Sequence, residues 1–439
     1  MISTTSNAPN SFILRGVRVV DPESGTDAPR DVWIRDGRLE AMEPHLSDGV
    51  DARAWTAEGW ILTPGLQDMH VHFREPGDED SETIATGALA AARGGFTHVL
   101  TMPNTSPVID SRGLVEFVIR RAREACGTVV VPAAAITKKL EGREITEMFE
   151  MREAGALAVT DDGKPVESSD VMRRGLEYAQ AAGMLLISHS EDRALRGAGV
   201  MNEGYASTVL GLRGIPIEVE TIAIGRDISL CRLTNSRLHI AHVSTACGID
   251  LIRRAKAEGL PVTAETAPHY LALTDEAVRG YDTRYKMNPP LRREADRDAL
   301  KDGLRDGTID VIATDHAPHA SERKDVEFDQ AAFGVIGLET SLSVSIAELI
   351  APGILDWTAL VHAMSNRVAS IVGWGGGRLI AGRPADCALI DPSAEWTVCA
   401  DRFASLSRNC PFEGRTLPGK VLLTMSDGKI TYAETGLFA

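Results

Sequence analysis

The chain has 439 residues, 44% of them hydrophobic and 25% charged, which is ordinary globular composition with length for a large core. A formal net charge of −16 without any basic cluster argues against nucleic acid as a partner. An anionic substrate is still compatible with that balance, because a few local arginines can reverse the field inside a pocket.

In chain order, the opening MISTTSNAPNSF has neither a basic start nor an apolar stretch of signal length. FILRGVRVVDPESG and DVWIRDGRLEAM then alternate apolar and polar residues around Asp-Gly and Ser-Gly turn signals, which predicts short strands. The C-terminal stretches DCALIDPSAEWTVC and KVLLTMSDGKITYA repeat that texture. The two ends are therefore expected to meet in one small β-sandwich domain, residues 1–63 with 372–439, the middle being an insertion. Residues 64–371 alternate short apolar runs with helix-like segments. The runs are WILTPGLQDMHVHF, THVLTMP, TVVVPAAAI, ALAVTDDG, MLLISHSE, RLHIAHVS, LPVTAETAP and DVIATDHAP. Segments such as SETIATGALAAARGG, RGLVEFVIRRAREAC and GIDLIRRAKAEG lie between them, several ending at Gly. Eight strand–helix units of doubly buried strands predict an α/β fold, a (β/α)8 TIM barrel. No run approaches the roughly 20 apolar residues that span a bilayer. The cysteines Cys126, Cys231, Cys247, Cys387, Cys399 and Cys410 form no CxxC pair and read as reduced thiols. A cytoplasmic protein with no membrane partner is expected.

Residues of ligand type stand just past these runs: His70 and His72, Asn104, Asp161 and Asp162, His189, His242, then Asp315, His316 and His319. In a barrel these are the C-terminal strand ends, where active sites of that fold sit. His70 and His72 are two apart, face the same way on an extended strand and can grip one ion. With His189, His242, Asp162 and Asp315 they offer four imidazoles and two carboxylates, a set suited to Zn2+ or a similar divalent ion, with room for two if a carboxylate bridges. Such ions acidify a shared water and polarise a carbonyl, so hydrolysis or cyclisation at an amide-type carbon is the chemistry suggested. His45, His98, His239 and His362 fall outside the pattern and read as structural or surface residues; His239, three before His242, is expected to point to the opposite side. Asp161 is either the bridging group or a turn former, and His269 either acts directly or packs behind the site. Lys164, in a Gly-Lys-Pro turn, reads as solvated rather than as a carbamylated bridge. The charged segment 316–337 is either a flap or a solvated connection.

Together, DMHVHFREPG, TMPNT, TDDG, SHSED, HIAHVS, MNPPLR, TDHAPH and FGVIGLET resemble the dihydroorotase family of the long bacterial (class I) type, in the amidohydrolase superfamily. The resemblance runs from about Pro64 to Thr340, and the terminal β segments fit it as well. HxH and TDHAPH are shared with allantoinases and hydantoinases, whereas TDDG puts an aspartate where those enzymes carry a carboxylated lysine. The resemblance implies that His70, His72 and Asp315 bind one metal, that His189 and His242 bind the other, and that Asp162 bridges them; one or two Zn2+ per chain, with two expected, follow from it. It implies that Arg74 and Asn104, with His72 and His319 beside them, hold a substrate carboxylate, and that Asn288 with the backbone at Phe333 and Gly334 holds the pyrimidine ring. The implied reaction is reversible cyclisation of N-carbamoyl-L-aspartate to L-dihydroorotate in pyrimidine biosynthesis, by a metal-bridged hydroxide with Asp315 as proton shuttle. A hydantoinase- or allantoinase-like cyclic amidase, or a non-catalytic scaffold for aspartate transcarbamoylase, are the alternatives; the full ligand set favours an active enzyme. A homodimer and a complex with aspartate transcarbamoylase are the macromolecular partners considered.

Overall fold

The computed structural model describes residues 10–47, 52–125 and 127–438, so Cys126 and the first nine residues of the N-terminal segment lie outside it. The alternating N-terminal stretch forms β1 (Phe12–Asp21), β2 (Thr26–Arg35) and β3 (Arg38–Glu43), followed by the short β4 (Arg53–Thr56) and β5 (Ile61–Pro64). Asp36 and Gly37 join β2 to β3 at φ 49° and 74°, the paired positive φ of a two-residue hairpin turn whose twist matches its strands.

Each of the eight apolar runs supplies one barrel strand. The first five are β6 (Leu66–Val71), β7 (Phe96–Thr101), β8 (Val129–Pro132), β9 (Ala158–Thr160) and β10 (Leu185–Ser188). A small outlying pair, β11 (Met201–Asn202) and β12 (Gly214–Ile215), precedes β13 (Leu238–Ile240), β14 (Val262–Thr266) and β15 (Val311–Ile312). The barrel strands lie in two parallel arcs, β6-β7-β8 and β9-β10-β13-β14-β15. Parallel bridges from Ala134 to Val159 and from Val71 to His316 join the arcs into a closed ring. Helices return the chain between strands. Ser169–Ala181 is representative: Met172, Leu176 and Ala179 are buried at helical spacing, and Ser168 caps it by accepting from the Val171 N–H.

Strands from the two end segments pair in one sheet. The strands β16 (Cys387–Thr397), β17 (Thr416–Ser426) and β18 (Lys429–Ala433) join the N-terminal ones in a single sheet of order β18-β17-β16-β5-β1-β2-β3, with β4 beside β1. The seam is the antiparallel pairing of β16 with β5. Phe12, Val17, Val32, Leu62, Leu389 and Leu423 form a core of their own in this sheet. Since β5 runs into β6 across Gly65 alone, the sheet and the barrel share one stretch of backbone. A Cβ at Gly65 would stand 2.3 Å from the Thr97 side chain, so the junction has no room for a larger residue.

Inside the barrel Met69, Leu100, Ala133, Ala158, Leu185, Ile187, Ala241 and Val311 pack together, closed at one end by Val368, Ile371 and Val372. This plug leaves only the C-terminal strand ends open for chemistry. No helix among the described residues is long and apolar enough to cross a membrane. Leu100 is fully buried in the plug. Leu100→Ala should therefore cost about 2–5 kcal/mol through lost burial and the cavity left behind, read as a lower urea midpoint; an unchanged midpoint would mean that this layer is not close-packed.

Candidate active site

His70 and His72 come from the end of β6, Asp162 follows β9, His189 follows β10, His242 follows β13 and Asp315 follows β15. The strands alone would not aim them all inward. Met69 and His70 are neighbours that both face the barrel interior, which strict alternation forbids. The pairing of β6 with β7 slips between Asp68 and Val71, and that bulge supplies the extra residue. His242 and Asp315 have φ of 33° and 46°, left-handed conformations that turn each side chain off its strand. Such conformations cost on the order of 1–3 kcal/mol and persist only where the surroundings hold them.

Asp162 stands at the centre. Its Oδ1 is 3.4 Å from His70 Nε2, 3.4 Å from His189 Nδ1 and 3.7 Å from His242 Nε2, and its Oδ2 is 3.5 Å from His72 Nε2. Asp315 Oδ1 lies 3.2 Å from His72 Nε2 and 3.6 Å from His70 Nε2. His189 Nδ1 and His242 Nε2 are 2.8 Å apart. Asp162 thus belongs to two groups that could each hold a metal ion, one with His70 and His72, the other with His189 and His242. All these side chains are buried. His70 Nδ1 is 2.6 Å from Glu265, while its Nε2, buried and facing Asp162, has no hydrogen-bond partner among the described residues. An orphaned ring nitrogen in a nest of imidazoles and carboxylates fits a borderline divalent cation of the Zn2+ kind. Burial pushes Asp162 up, but His70 and the hydrogen bonds from His189 and His242 outweigh it and hold the carboxyl well below its usual range. Asp315 is likewise pushed up by burial and held low by His70 and His72.

The residues read as substrate contacts gather around this centre. Asn104 Oδ1 is 2.9 Å from His72 Nδ1, and its Nδ2 donates to Asp162 at 3.3 Å. Asn288 Nδ2 donates to Glu191 at 2.6 Å and lies 3.4 Å from His189 Nε2. Arg74, at φ 59°, is half-buried and donates from Nε to the Pro318 carbonyl at 3.0 Å; desolvation pulls its guanidinium down to about 10. His319 Nε2 is 2.7 Å from the Phe333 carbonyl, and burial with the nearby Arg74 holds this imidazole down to about 3, hence neutral. Gly334 has φ 138°, and a Cβ there would come within 2.9 Å of His319 Nε2.

Other ligand-type residues turn away. Asp161 accepts from the backbone N–H groups of Ile136 and Thr137 at 2.8 and 3.0 Å and from the Thr137 hydroxyl, which makes it a brace between strand ends. Burial raises it to about 6. Lys164 is exposed. His316 faces Glu82 at 3.4 Å, and its Nδ1 accepts from the Gly337 N–H. His269 is buried close to Asp315, His242 and His70 with its Nε2 unpartnered among the described residues, and burial lowers it to about 4. The segment 316–337 is exposed at 321–323, 325–327 and 329–330 yet anchored by buried Lys324, which donates to the carbonyls of Lys286, Ala332 and Gly334 at 3.2, 2.8 and 3.0 Å.

One expectation needs correction. His239 does not point away from the site. It faces the barrel interior, its Nε2 3.2 Å from Glu265 Oε2, and Glu265 in turn holds His70. The alternation was right for His239; it is His242 that departs from it, through its positive φ. Glu265 itself was missed, although a lone carboxylate inside the apolar run VTAETAP is a signal. Asp68 was missed too. Buried in β6, it accepts from the N–H of His70 at 3.0 Å and of Thr314 at 3.2 Å, stapling the bulge to the chain just before Asp315.

A closed parallel barrel joined to a terminal β domain, with paired histidines around a shared aspartate at its C-terminal rim, defines a metal-dependent amidohydrolase. Solved structures agree: L-hydantoinase (dihydropyrimidinase) from Arthrobacter aurescens aligns with a TM-score of 0.86 at 26% identity, over 97% of this chain and 96% of that one. Dihydropyrimidinase from Brevibacillus agri, at 24% identity and a TM-score of 0.83 over 96% and 95% of the two chains, shares the fold. A Dihydro-orotase-like family model matches residues 59–247. Relatives named dihydroorotase from Geotalea daltonii and Citrifermentans bemidjiense are 49% and 51% identical over 422 residues, 96% of this chain and 99% of each relative. The chain belongs to the dihydroorotase family and is a metal-dependent cyclic amidohydrolase.

Glu265 bridges His70 and His239 and is buried; burial raises its pKa, but the two imidazoles hold it at about 2. Glu265→Gln should weaken Zn2+ binding about 10–100-fold in competition with a chelator, the usual cost of removing a carboxylate behind a ligating histidine. Unchanged affinity would dismiss the orienting role.

Proposed function

We propose that this chain interconverts N-carbamoyl-L-aspartate and L-dihydroorotate in pyrimidine biosynthesis, with two Zn2+ per chain held by His70, His72 and Asp315 on one side and His189 and His242 on the other, Asp162 shared between them. The observation that carries the reading is the aspartate flanked by two histidine pairs, in a chain about half identical to named dihydroorotases. Ions bound there supply an acidified water and a Lewis acid for the amide carbonyl.

The chain's own residues do the rest. Asp315 is ionised at neutral pH and beside His72, so it can take the proton of the attacking water and return it to the leaving ring nitrogen. Arg74 offers a half-buried guanidinium for the substrate carboxylate, aided by Asn104 and the neutral His319. Asn288 and the backbone at Phe333 and Gly334 orient the ring. In the reverse direction the acyclic substrate carries one more ionised carboxylate than the ring, so closure takes up a proton and low pH favours dihydroorotate.

In this reading residues 64–371 are the catalytic unit and residues 1–63 with 372–439 the β domain, a division supported by the one-residue link between β5 and β6. The enzyme is assigned to the cytoplasm. A homodimer and a complex with aspartate transcarbamoylase are its candidate assemblies, read from the mass in solution with and without that enzyme.

The purified protein should hydrolyse dihydroorotate, lose that activity to a chelator and regain it with Zn2+. Turnover of hydantoin or allantoin without dihydroorotate would select the cyclic-amidase alternative instead. Arg74→Ala should mainly raise KM, whereas Asp315→Ala should cut kcat by about 10²–10⁴-fold with substrate binding partly kept. Near-normal kcat in Asp315→Ala with metal in place would remove Asp315 from the proton path.

A further inference from the structure

Glu191 has no part in the chemistry above, yet three groups converge on its carboxylate. It lies in the loop after β10, two residues beyond His189, and is buried. Its Oε2 is 2.9 Å from His189 Nε2 and 2.6 Å from Asn288 Nδ2, and its Oε1 accepts from Arg196 NH1 at 3.1 Å. The Arg196 guanidinium lies over the Phe333 ring, 5.1 Å from its centroid. One carboxylate therefore touches a histidine of the centre, the amide read as a ring contact, and an arginine seated on the residue beside the other ring contact.

We propose that Glu191 is a positioning residue that couples the His189 side of the metal centre to the orientation of Asn288; the proposal rests on the roles given to His189 and Asn288 above. Two consequences follow from the chemistry of an acceptor-only group. An ionised carboxylate can only accept, so Nε2 of His189 is fixed as a donor to Glu191, and Nδ1, on the Asp162 side, is the nitrogen that can give up its proton to an ion. For the same reason the NH2 of Asn288 faces Glu191 and its Oδ1 is the end left to meet a substrate. The ligand class selected at Asn288 is then a ring bearing an N–H donor, as a cyclic amide or imide does. Arg196 supplies a counter-charge to the buried carboxylate at 3.1 Å.

The test compares full-length wild type with Glu191→Gln, Glu191→Asp, Asn288→Ala and the Glu191→Gln/Asn288→Ala double variant. Zn2+ affinity is measured by competition with a chromophoric chelator, and KM and kcat for dihydroorotate in excess Zn2+. Thermal unfolding of the metal-free proteins controls for folding. Glu191→Gln should bind Zn2+ about 10–100-fold more weakly, as expected when the carboxylate behind a ligating histidine is removed. In excess Zn2+ it should still show a KM raised about tenfold, the size of one lost charge-assisted hydrogen bond. Adding Glu191→Gln to Asn288→Ala should raise KM no further, while the Zn2+ defect persists; Glu191→Asp should recover part of both. The proposal is overturned by wild-type Zn2+ affinity and KM in Glu191→Gln, by KM effects that simply multiply in the double variant, or by defects that track a lowered melting temperature of the metal-free protein. Wild-type protein that binds Zn2+ but does not hydrolyse dihydroorotate would sink the functional reading, and the Zn2+ competition would still decide whether Glu191 holds His189.

Discussion

Everything at the open end of the barrel depends on keeping the buried Asp162 carboxylate charged. Burial alone would protonate it, and what prevents that is the ring of imidazoles within 3.7 Å. The imidazoles pose the same problem in reverse. His70 is buried and polarised between Glu265 on one nitrogen and Asp162 on the other. A cluster of alternating charges in low dielectric is stable only when each member is held by the next, and removing one strands its neighbours. The centre is therefore a network that extends well past its ligands, to Glu265 and His239 on one side and to Glu191, Asn288 and Arg196 on the other.

The barrel makes such a network affordable by separating packing from chemistry. The plug of Met69, Leu100, Leu185, Ile187 and their neighbours fills the interior below the rim and ties the strands together. Above it the chain is free to break regular geometry, and it does so where the functional side chains are. The bulge of β6 and the positive φ of Arg74, His242 and Asp315 each redirect one side chain that regular strand geometry would misplace. Backbone strain of this kind is sustainable because the closed ring beneath it over-determines the position of every strand end.

The same logic explains how an acidic chain can receive an anionic substrate. The net charge is −16, but much of the acidic character close to the centre is neutralised by the imidazoles and by Arg196. Arg74 is a half-buried cation beside His319, where a lowered dielectric lengthens its reach. Lys324 and Lys286, buried against carbonyls and the Phe333 ring, hold the loop that carries Gly334.

Much of this was legible in the residues alone. Strands buried on both faces read as continuous apolar runs, so the eight barrel strands could be counted, and their ends carried His70, His72, Asp162, His189, His242 and Asp315 in plain view. The terminal β segments were visible by their alternation. What the sequence could not determine was which long-range partner each of these residues takes. Glu265 is 195 residues from His70, and nothing in VTAETAP says that its glutamate reaches back to the first strand. The inward turn of His242, the redirection at the β6 bulge, and the roles of Asp161 as brace and His239 as support were decided only by tertiary structure. The physical reason is that period and composition are local properties of a chain, whereas the φ of a single residue and the neighbour of a buried charge are set by the packing of strands that meet only when the ring closes.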